Sequence, residues 1–352
     1  MHHTTDAMLP QFVELGQGKI RALPVLLKTH EVSFDRVLLL YDDTTLRIGG
    51  QKISRLLTKH GASVIGHSIE NSKDANVAII RAVIKQHVPD LLIGFGGGKV
   101  LDVAKLAAGR HGVRFISIPT TLSNDGLSSP VSVIKDRRNI PISHITTPPY
   151  GVVIDIDVVR QAPPRHLLAG VGDLLSNLSA VFDARLAQGK KHEEISDNAL
   201  ELSEAGGRAL VELRTNNISS SDFLQHLAHG LLKSGFAMCI SGTSRPASGS
   251  EHKISHSIDH YFPPGKSLHG EQVGIAAIFT MLLQGNDFRK KVDAFYRSIG
   301  FPTKISYLGL NEDEFTRVVQ NATKIRPERY TILEDLKPSA QDIRRALRAA
   351  KL

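Results

Sequence analysis

The sequence predicts an α/β fold in two parts, a doubly wound nucleotide-binding domain over residues 1–158 followed by an all-helical domain over 159–352. Three observations predict it. Short apolar runs alternate with helix-spaced segments up to about residue 159, as in parallel sheets built with right-handed crossovers. One of those runs enters a cluster of glycines directly before a helix. Beyond residue 159 the spacing stays helical, and no strand-like alternation, internal repeat or low-complexity tract competes with it.

After a leading segment with turn signals, RVLLLYDD (36–43) is a buried-strand run that ends in acids. Asp42, at its C-terminal end, is placed to accept hydrogen bonds from a ribose. LRIGGQKISRLLTKHG repeats apolar positions at helical spacing and stops at Gly61, then ASVIGHSI reads as a second strand and NVAIIRAVIKQH as a second helix. In PDLLIGFGGGKVLDVAKLAAGRHG (89–112), the strand LLIGF runs into Gly96, Gly97 and Gly98, and an amphipathic segment follows as far as Gly109. Such a turn aims backbone amides and a helix dipole at an anion. Lys99, at that helix start, opposes the dipole unless it meets a phosphate. The spacing is not the regular G-x-G-x-x-G fingerprint, and a tight turn with no ligand would use the same glycines.

VRFISIP (113–119) is the next strand and opens into TTLSNDGLSSPVSVI. That loop offers Thr120, Thr121, Ser123, Asn124, Asp125 and Ser129 at the edge where open α/β sheets bind ligands. Asp125 suits fixing a substrate hydroxyl or passing a proton, although an Asn-Asp-Gly turn accounts for the same residues without a ligand. Residues 136–150 read as a polar excursion or hairpin, GVVIDIDVV (151–159) as the last strand, and RQAPPRHLLAG as the switch to the helical part.

The 352 residues exceed what one core normally serves, and 41% hydrophobic with 22% charged residues is a soluble globular composition. The single cysteine, Cys239, excludes an internal disulfide framework and a Cys-rich zinc module, and fits a cytoplasmic setting. No secretory signal and no membrane span are expected, since no basic segment precedes an apolar run and no run reaches about 18 apolar residues. The net charge of +8 comes from scattered basic residues, and aromatics are only 5%. A small anionic substrate or cofactor accounts for this at least as well as nucleic acid does, and no nucleic-acid partner is expected. A homo-oligomer is expected, dimers being the commonest assembly.

Residues 241–273 hold the densest chemistry. His252 and His256 stand four apart on one helix face, His260 continues the row, a break follows at Pro263, Pro264 and Gly265, and His269 opens the apolar segment VGIAAIFTMLL. Two helix-borne histidines on either side of a turn can face one point. Neutral imidazole suits zinc, nickel and iron, and a catalytic ion usually takes three protein ligands and keeps an open position. The third candidate is Asp173 in AGVGDLLSNLSAVFDARLA, where Gly170 and Gly172 allow close backbone approach. A lone histidine beside an apolar face more often has no metal, so the weight rests on three glycine-flanked candidates together.

The set GGGKVLDVAK, PTTLSNDGLSSP, AGVGDLLSN, SRPASGSEHKISHSIDH and LHGEQVG resembles the sn-glycerol-1-phosphate dehydrogenases, within the iron-containing alcohol dehydrogenase, glycerol dehydrogenase and dehydroquinate synthase superfamily. The similarity runs in the same order from about residue 40 to about residue 285. It implies a nucleotide-binding α/β domain, a helical domain and an active site in the cleft. It makes Asp173, His252 and His269 the metal ligands, and matches His256 and Asp125 to substrate contacts. Gly97, Gly98, Lys99, Val100 and Leu101 match the pyrophosphate turn, Thr120, Thr121, Ser123 and Ser129 match cofactor contacts, and Asp42 falls near the ribose position.

The resemblance implies NAD- or NADP-linked reduction of dihydroxyacetone phosphate to sn-glycerol 1-phosphate, or of a related polyol phosphate. The cofactors would be the dinucleotide, with NAD favoured by the Asp42 carboxylate, and one divalent metal, zinc first with nickel or iron also compatible. Arg245, Lys253 and Lys266 are candidates for the substrate phosphate from charge alone. Asn124 departs from the family, whose members often carry a histidine there. The rival readings are a dehydroquinate-synthase-like cyclising lyase, a dehydrogenase of unphosphorylated glycerol or polyol, a facial-triad iron oxygenase and a catalytically silent nucleotide-binding protein.

Overall fold

The computed structural model describes residues 8–262 and 267–352. The chain divides into two compact units, the first running up to Pro163 together with Ser219–Ala228, the second comprising Pro164–Ile218 and His229–Leu352.

The first unit is built on a six-stranded, wholly parallel sheet of β1 (Phe12–Gly16), β2 (Arg36–Tyr41), β3 (Ser63–Ser68), β4 (Leu91–Gly96), β5 (Arg114–Pro119) and β8 (Gly151–Asp155), in the order β1-β8-β5-β4-β2-β3. Its crossovers are α1 (Lys19–Thr29), the one-turn α2 (Asp43–Thr45) leading into α3 (Gln51–Lys59), α4 (Asp74–His87) and α5 (Gly98–His111), with the short α6 (Ile156–Val159) closing the unit. β4 and β8 are buried along their whole length, as strands covered on both faces must be. β6 (Val131–Lys135) and β7 (Pro141–Ile145) form a separate antiparallel hairpin, which resolves the polar excursion read from the sequence.

Two segments differ from the sequence reading. The leading segment holds β1 and α1, hidden from pattern reading because FVELG is half-buried and Pro24, a residue that argues against a helix, sits inside α1. Asp155 secures both, its carboxylate accepting from the amides of Gly18 (3.2 Å) and Ile20 (2.9 Å). The last strand stops at Asp155 instead of running to residue 159, because the same side chain caps α6 through the Asp157 amide.

In the second unit, α7 (Pro164–Lys191), α8 (Asp197–Val211), α10 (Ser250–Tyr261) and α11 (His269–Gln284) are followed by α12 (Arg289–Ile299), α13 (Glu312–Ala322), the short α14 (Ile332–Leu336) and α15 (Ala340–Ala350). α9 (Ser221–Ser241) enters this unit from His229 on. Among the described residues α7 alone has the length and apolarity of a membrane-crossing helix, yet 89% of that window is buried in protein. It is the core helix of its unit, packed against α8, α10 and α11.

Candidate metal centre and active site

The helices α7 and α11 approach at backbone contact, and glycines make this possible. A Cβ on Gly172 would overlap the Gly270 carbonyl oxygen, and one on Gly270 would overlap the Ala169 carbonyl. Each glycine directly neighbours a candidate ligand, so the close approach brings Asp173 on α7 and His269 at the first turn of α11 together. Glu271 fastens that first turn. It takes a bidentate ion pair from Arg165 (2.6 and 2.7 Å), accepts from Tyr307 Oη (3.1 Å) and accepts the Leu268 amide (2.7 Å). Gly270→Ala is expected to lower stability by about 2–3 kcal/mol in denaturant titration, since a rigid carbonyl cannot give way to the added methyl.

His252, from α10, completes the group. Its Nε2 stands 3.2 Å from His269 Nε2, Asp173 Oδ1 stands 3.7 Å from that same nitrogen, and the three donor atoms lie within 4.8 Å of one another. The hydrogen-bond network fixes which ring nitrogens face inward. His252 Nδ1 meets Glu251 Oε1 at 2.9 Å, so it carries the proton and donates to the carboxylate. His269 Nδ1 meets Ser255 Oγ at 3.2 Å, and Ser255 donates its one hydroxyl proton to Gln272 Oε1 (2.6 Å), so it accepts from the ring. Both Nε2 atoms therefore present lone pairs to each other beside a carboxylate.

Burial, with the charge of Arg326, pushes His252 down to about 3, and burial with His252 and Arg326 pushes His269 down to about 3. Two neutral imidazoles and one carboxylate converging in this way suit a divalent cation, and the outer Nδ1 partners are those that orient metal-bound histidines. The His269 side chain is 37% exposed, which leaves an approach to the group for a further ligand.

His256 lies beside this group, its ring centroid 6.4 Å from that of His252 and 6.3 Å from that of His269. Burial and the nearby positive groups hold it well below the usual histidine range. His260 does not join the group and stacks edge-on against Tyr261 (4.7 Å). The break at Pro263, Pro264 and Gly265 lies outside the described residues.

In the first unit, the glycines after β4 divide into two kinds. A Cβ on Gly96 would come within 2.6 Å of Val100, so that glycine serves strand-to-helix packing. Gly97 and Gly98 serve no such need. Neither has a positive φ, and a Cβ there would meet only Thr121 Oγ1 at 3.6 Å and Asn124 Nδ2 at 3.5 Å, ordinary contacts. No side chain caps α5 at this end. Space over an uncapped helix start fits a pyrophosphate. Lys99 reaches Asp42 at 3.2 Å, and Asp42 also accepts the Thr45 amide at 2.9 Å. Val100 and Leu101 are buried on α5.

Beside that turn, Thr121 Oγ1 donates to Ser123 Oγ (3.3 Å), Thr120 and Ser129 are buried, and Asn124 caps the Asp125–Leu127 turn by accepting the Gly126 amide at 2.9 Å. The asparagine thus has a local folding role. Lys105, buried on α5, holds the loop down through the carbonyls of Gly126 (2.6 Å) and Val131 (2.7 Å). Burial, with a contribution from the Asp125 charge, raises the Asp102 carboxyl to about 7.

Of the cations picked out by charge, Arg245 is spent on Glu193 (2.6 and 2.8 Å) and Lys253 on Glu334 (2.7 Å), both buried. Lys266 lies outside the described residues. The sequence reading missed Glu251, Ser255 and Gln272. Glu251 had a visible signal, an acid adjacent to a ligating histidine, whereas Ser255 and Gln272 had none.

A family model described as iron-containing alcohol dehydrogenase matches residues 14–163. The chain is 37% identical over 330 residues to a glycerol-1-phosphate dehydrogenase [NAD(P)+] of Thermofilum pendens, covering 93% of each chain. A glycerol-1-phosphate dehydrogenase [NAD(P)+] of Nitrosopumilus maritimus is 33% identical over 86% of this chain and 84% of its own. The chain belongs to the glycerol-1-phosphate dehydrogenase family. This family's fold is shared with solved structures of lower identity. A probable glycerol dehydrogenase from Sinorhizobium meliloti aligns with TM-score 0.77 at 22% identity over 97% of this chain and 96% of its own, and glycerol dehydrogenase from Schizosaccharomyces pombe with TM-score 0.78 at 22% identity over 97% and 89%.

Proposed function

We propose that this member of the glycerol-1-phosphate dehydrogenase family reduces dihydroxyacetone phosphate to sn-glycerol 1-phosphate with NADH or NADPH. The observation that carries the reading is the convergence of the two inward Nε2 atoms, 3.2 Å apart, beside Asp173, in a chain whose relatives bear that activity in their names. Asp173, His252 and His269 would hold one divalent metal, zinc first, with nickel or iron accepted by the same donors. When bound, the metal supplies Lewis acidity toward a carbonyl oxygen and the reduced nicotinamide supplies a hydride.

The chain's own residues do the rest. Glu251 and Ser255 keep the two ligand rings in the tautomer that points Nε2 inward. His256, held neutral, offers one N–H and one acceptor nitrogen, which suits it to orient a substrate hydroxyl and relay a proton without storing charge. Asp125 is the proposed second substrate contact. Gly97, Gly98, Lys99, Val100 and Leu101 would seat the pyrophosphate, with Thr120, Thr121, Ser123 and Ser129 as further cofactor contacts. Asp42 favours NADH, because a carboxylate at the end of β2 opposes a 2′-phosphate.

The test is NADH absorbance with dihydroxyacetone phosphate. One NADH consumed per glycerol phosphate formed, lost on chelation and restored by added zinc, nickel or ferrous ion, is the expected result. A cofactor that cycles without net consumption, or no turnover with any of the three metals, would overturn the reading.

A further inference from the structure

Strands β2 and β4 lie side by side and parallel, Leu38 opposite Leu92 and Leu40 opposite Gly94, so the chain leaves both at the same edge of the sheet. In the order β3-β2-β4-β5-β8, the chain steps from β2 to β3 in one direction and then crosses back past β2 to reach β4. The crevice between the ends of β2 and β4 is therefore where the winding reverses, the place at which open α/β sheets take a nucleotide.

One charged residue stands on each side of it. Asp42 directly follows β2, and Lys99 is the second residue of α5, after β4 and its glycines. Their side chains meet, Lys99 Nζ to Asp42 Oδ2 at 3.2 Å. The carboxylate is fixed there by its other oxygen. Asp42 Oδ1 accepts the Thr45 amide at 2.9 Å while Thr45 Oγ1 accepts the Asp42 amide at 2.8 Å, a reciprocal cap on α2. Lys99 is 37% and Asp42 23% exposed, so a ligand entering the crevice meets the pair and not the carboxylate alone.

A carboxylate at the end of this strand accepts from the ribose hydroxyls of NAD and repels the 2′-phosphate of NADP. An ammonium 3.2 Å away turns that net negative charge into a dipole, which opposes a phosphate much less. Arg47, exposed one turn further on, spends its Nε on the Asp43 carbonyl (3.1 Å) and serves as the control.

We infer that Lys99 sets the choice between NADH and NADPH, neutralising Asp42 so that the site accepts a dinucleotide with a 2′-phosphate as well as one without. The inference rests on the dinucleotide seat proposed above and adds what that seat discriminates. Lys99 moderates the preference for NADH that the Asp42 carboxylate alone would impose.

The experiment measures dissociation constants for NADH and NADPH by fluorescence titration, without substrate, in the wild-type protein, Lys99→Met, Asp42→Asn, the double variant and Arg47→Gln. Methionine keeps an unbranched stem and asparagine keeps the cap, and thermal melting checks that each variant folds. Lys99→Met also removes a pyrophosphate contact and weakens both cofactors, so the deciding quantity is the ratio of the NADPH constant to the NADH constant. That ratio is expected to rise roughly tenfold or more in Lys99→Met, to fall in Asp42→Asn, and to change less than about threefold when Lys99→Met is added to Asp42→Asn. A ratio unmoved in Lys99→Met, an equal rise in the Asp42→Asn background, or a ratio that answers to Arg47→Gln instead would overturn the inference and leave the proposed reaction standing. Failure of the folded wild-type protein to bind either dinucleotide would overturn both.

Discussion

Replacing His269 by alanine is expected to lower kcat/KM for dihydroxyacetone phosphate about 1,000-fold, roughly 4 kcal/mol of transition-state stabilisation, with the bound metal lost in parallel. Three donors within 4.8 Å become two, and a carboxylate with one imidazole holds a divalent ion weakly. Metal content by mass spectrometry, read beside the kinetics, checks this directly. His269 is a cleaner target than His252, because removing His252 also strips Glu251, fully buried, of its imidazole partner and adds a folding penalty. Retention of stoichiometric metal and near-native turnover in His269→Ala would remove the basis for the assigned centre.

The second large effect is expected at the glycine turn. Gly98→Val should weaken NADH binding about 100-fold or more, measured by fluorescence titration, while the melting temperature stays close to that of the wild type. The protein itself has room for a Cβ there, its nearest neighbour being Asn124 Nδ2 at 3.5 Å, so the added bulk falls in the space assigned to the pyrophosphate. Gly96→Ala is the contrasting control. Its Cβ would press on Val100 at 2.6 Å and should cost stability first. A Gly98→Val enzyme that binds NADH normally would show that the turn is structural only.

Much of this was legible beforehand because its signals are local. The runs VLLL and LLIGF are apolar throughout, as strands covered on both faces must be, and they form the buried parts of β2 and β4. His252 and His256 share a face because α10 spans both, and Gly172, read as allowing close backbone approach beside Asp173, does so against Gly270, which the sequence reading had not singled out. What escaped was set by distant partners. β1 depends on pairing with β8, more than a hundred residues later, and its own sequence is too short and too polar to announce it. Arg245 and Lys253 looked available because Glu193 and Glu334 lie far away in the chain.

The contact of Gly172 with Gly270 sets the distance from Asp173 to His269 through main-chain atoms. Leucines, valines and phenylalanines elsewhere along α7 and α11 can therefore be exchanged over evolutionary time, and the helices can settle slightly, without altering the size of the aperture between the donors. A site gauged by the peptide backbone is insulated from drift in the hydrocarbon around it, and stays open to loss through a change at either of two hydrogen-sized positions.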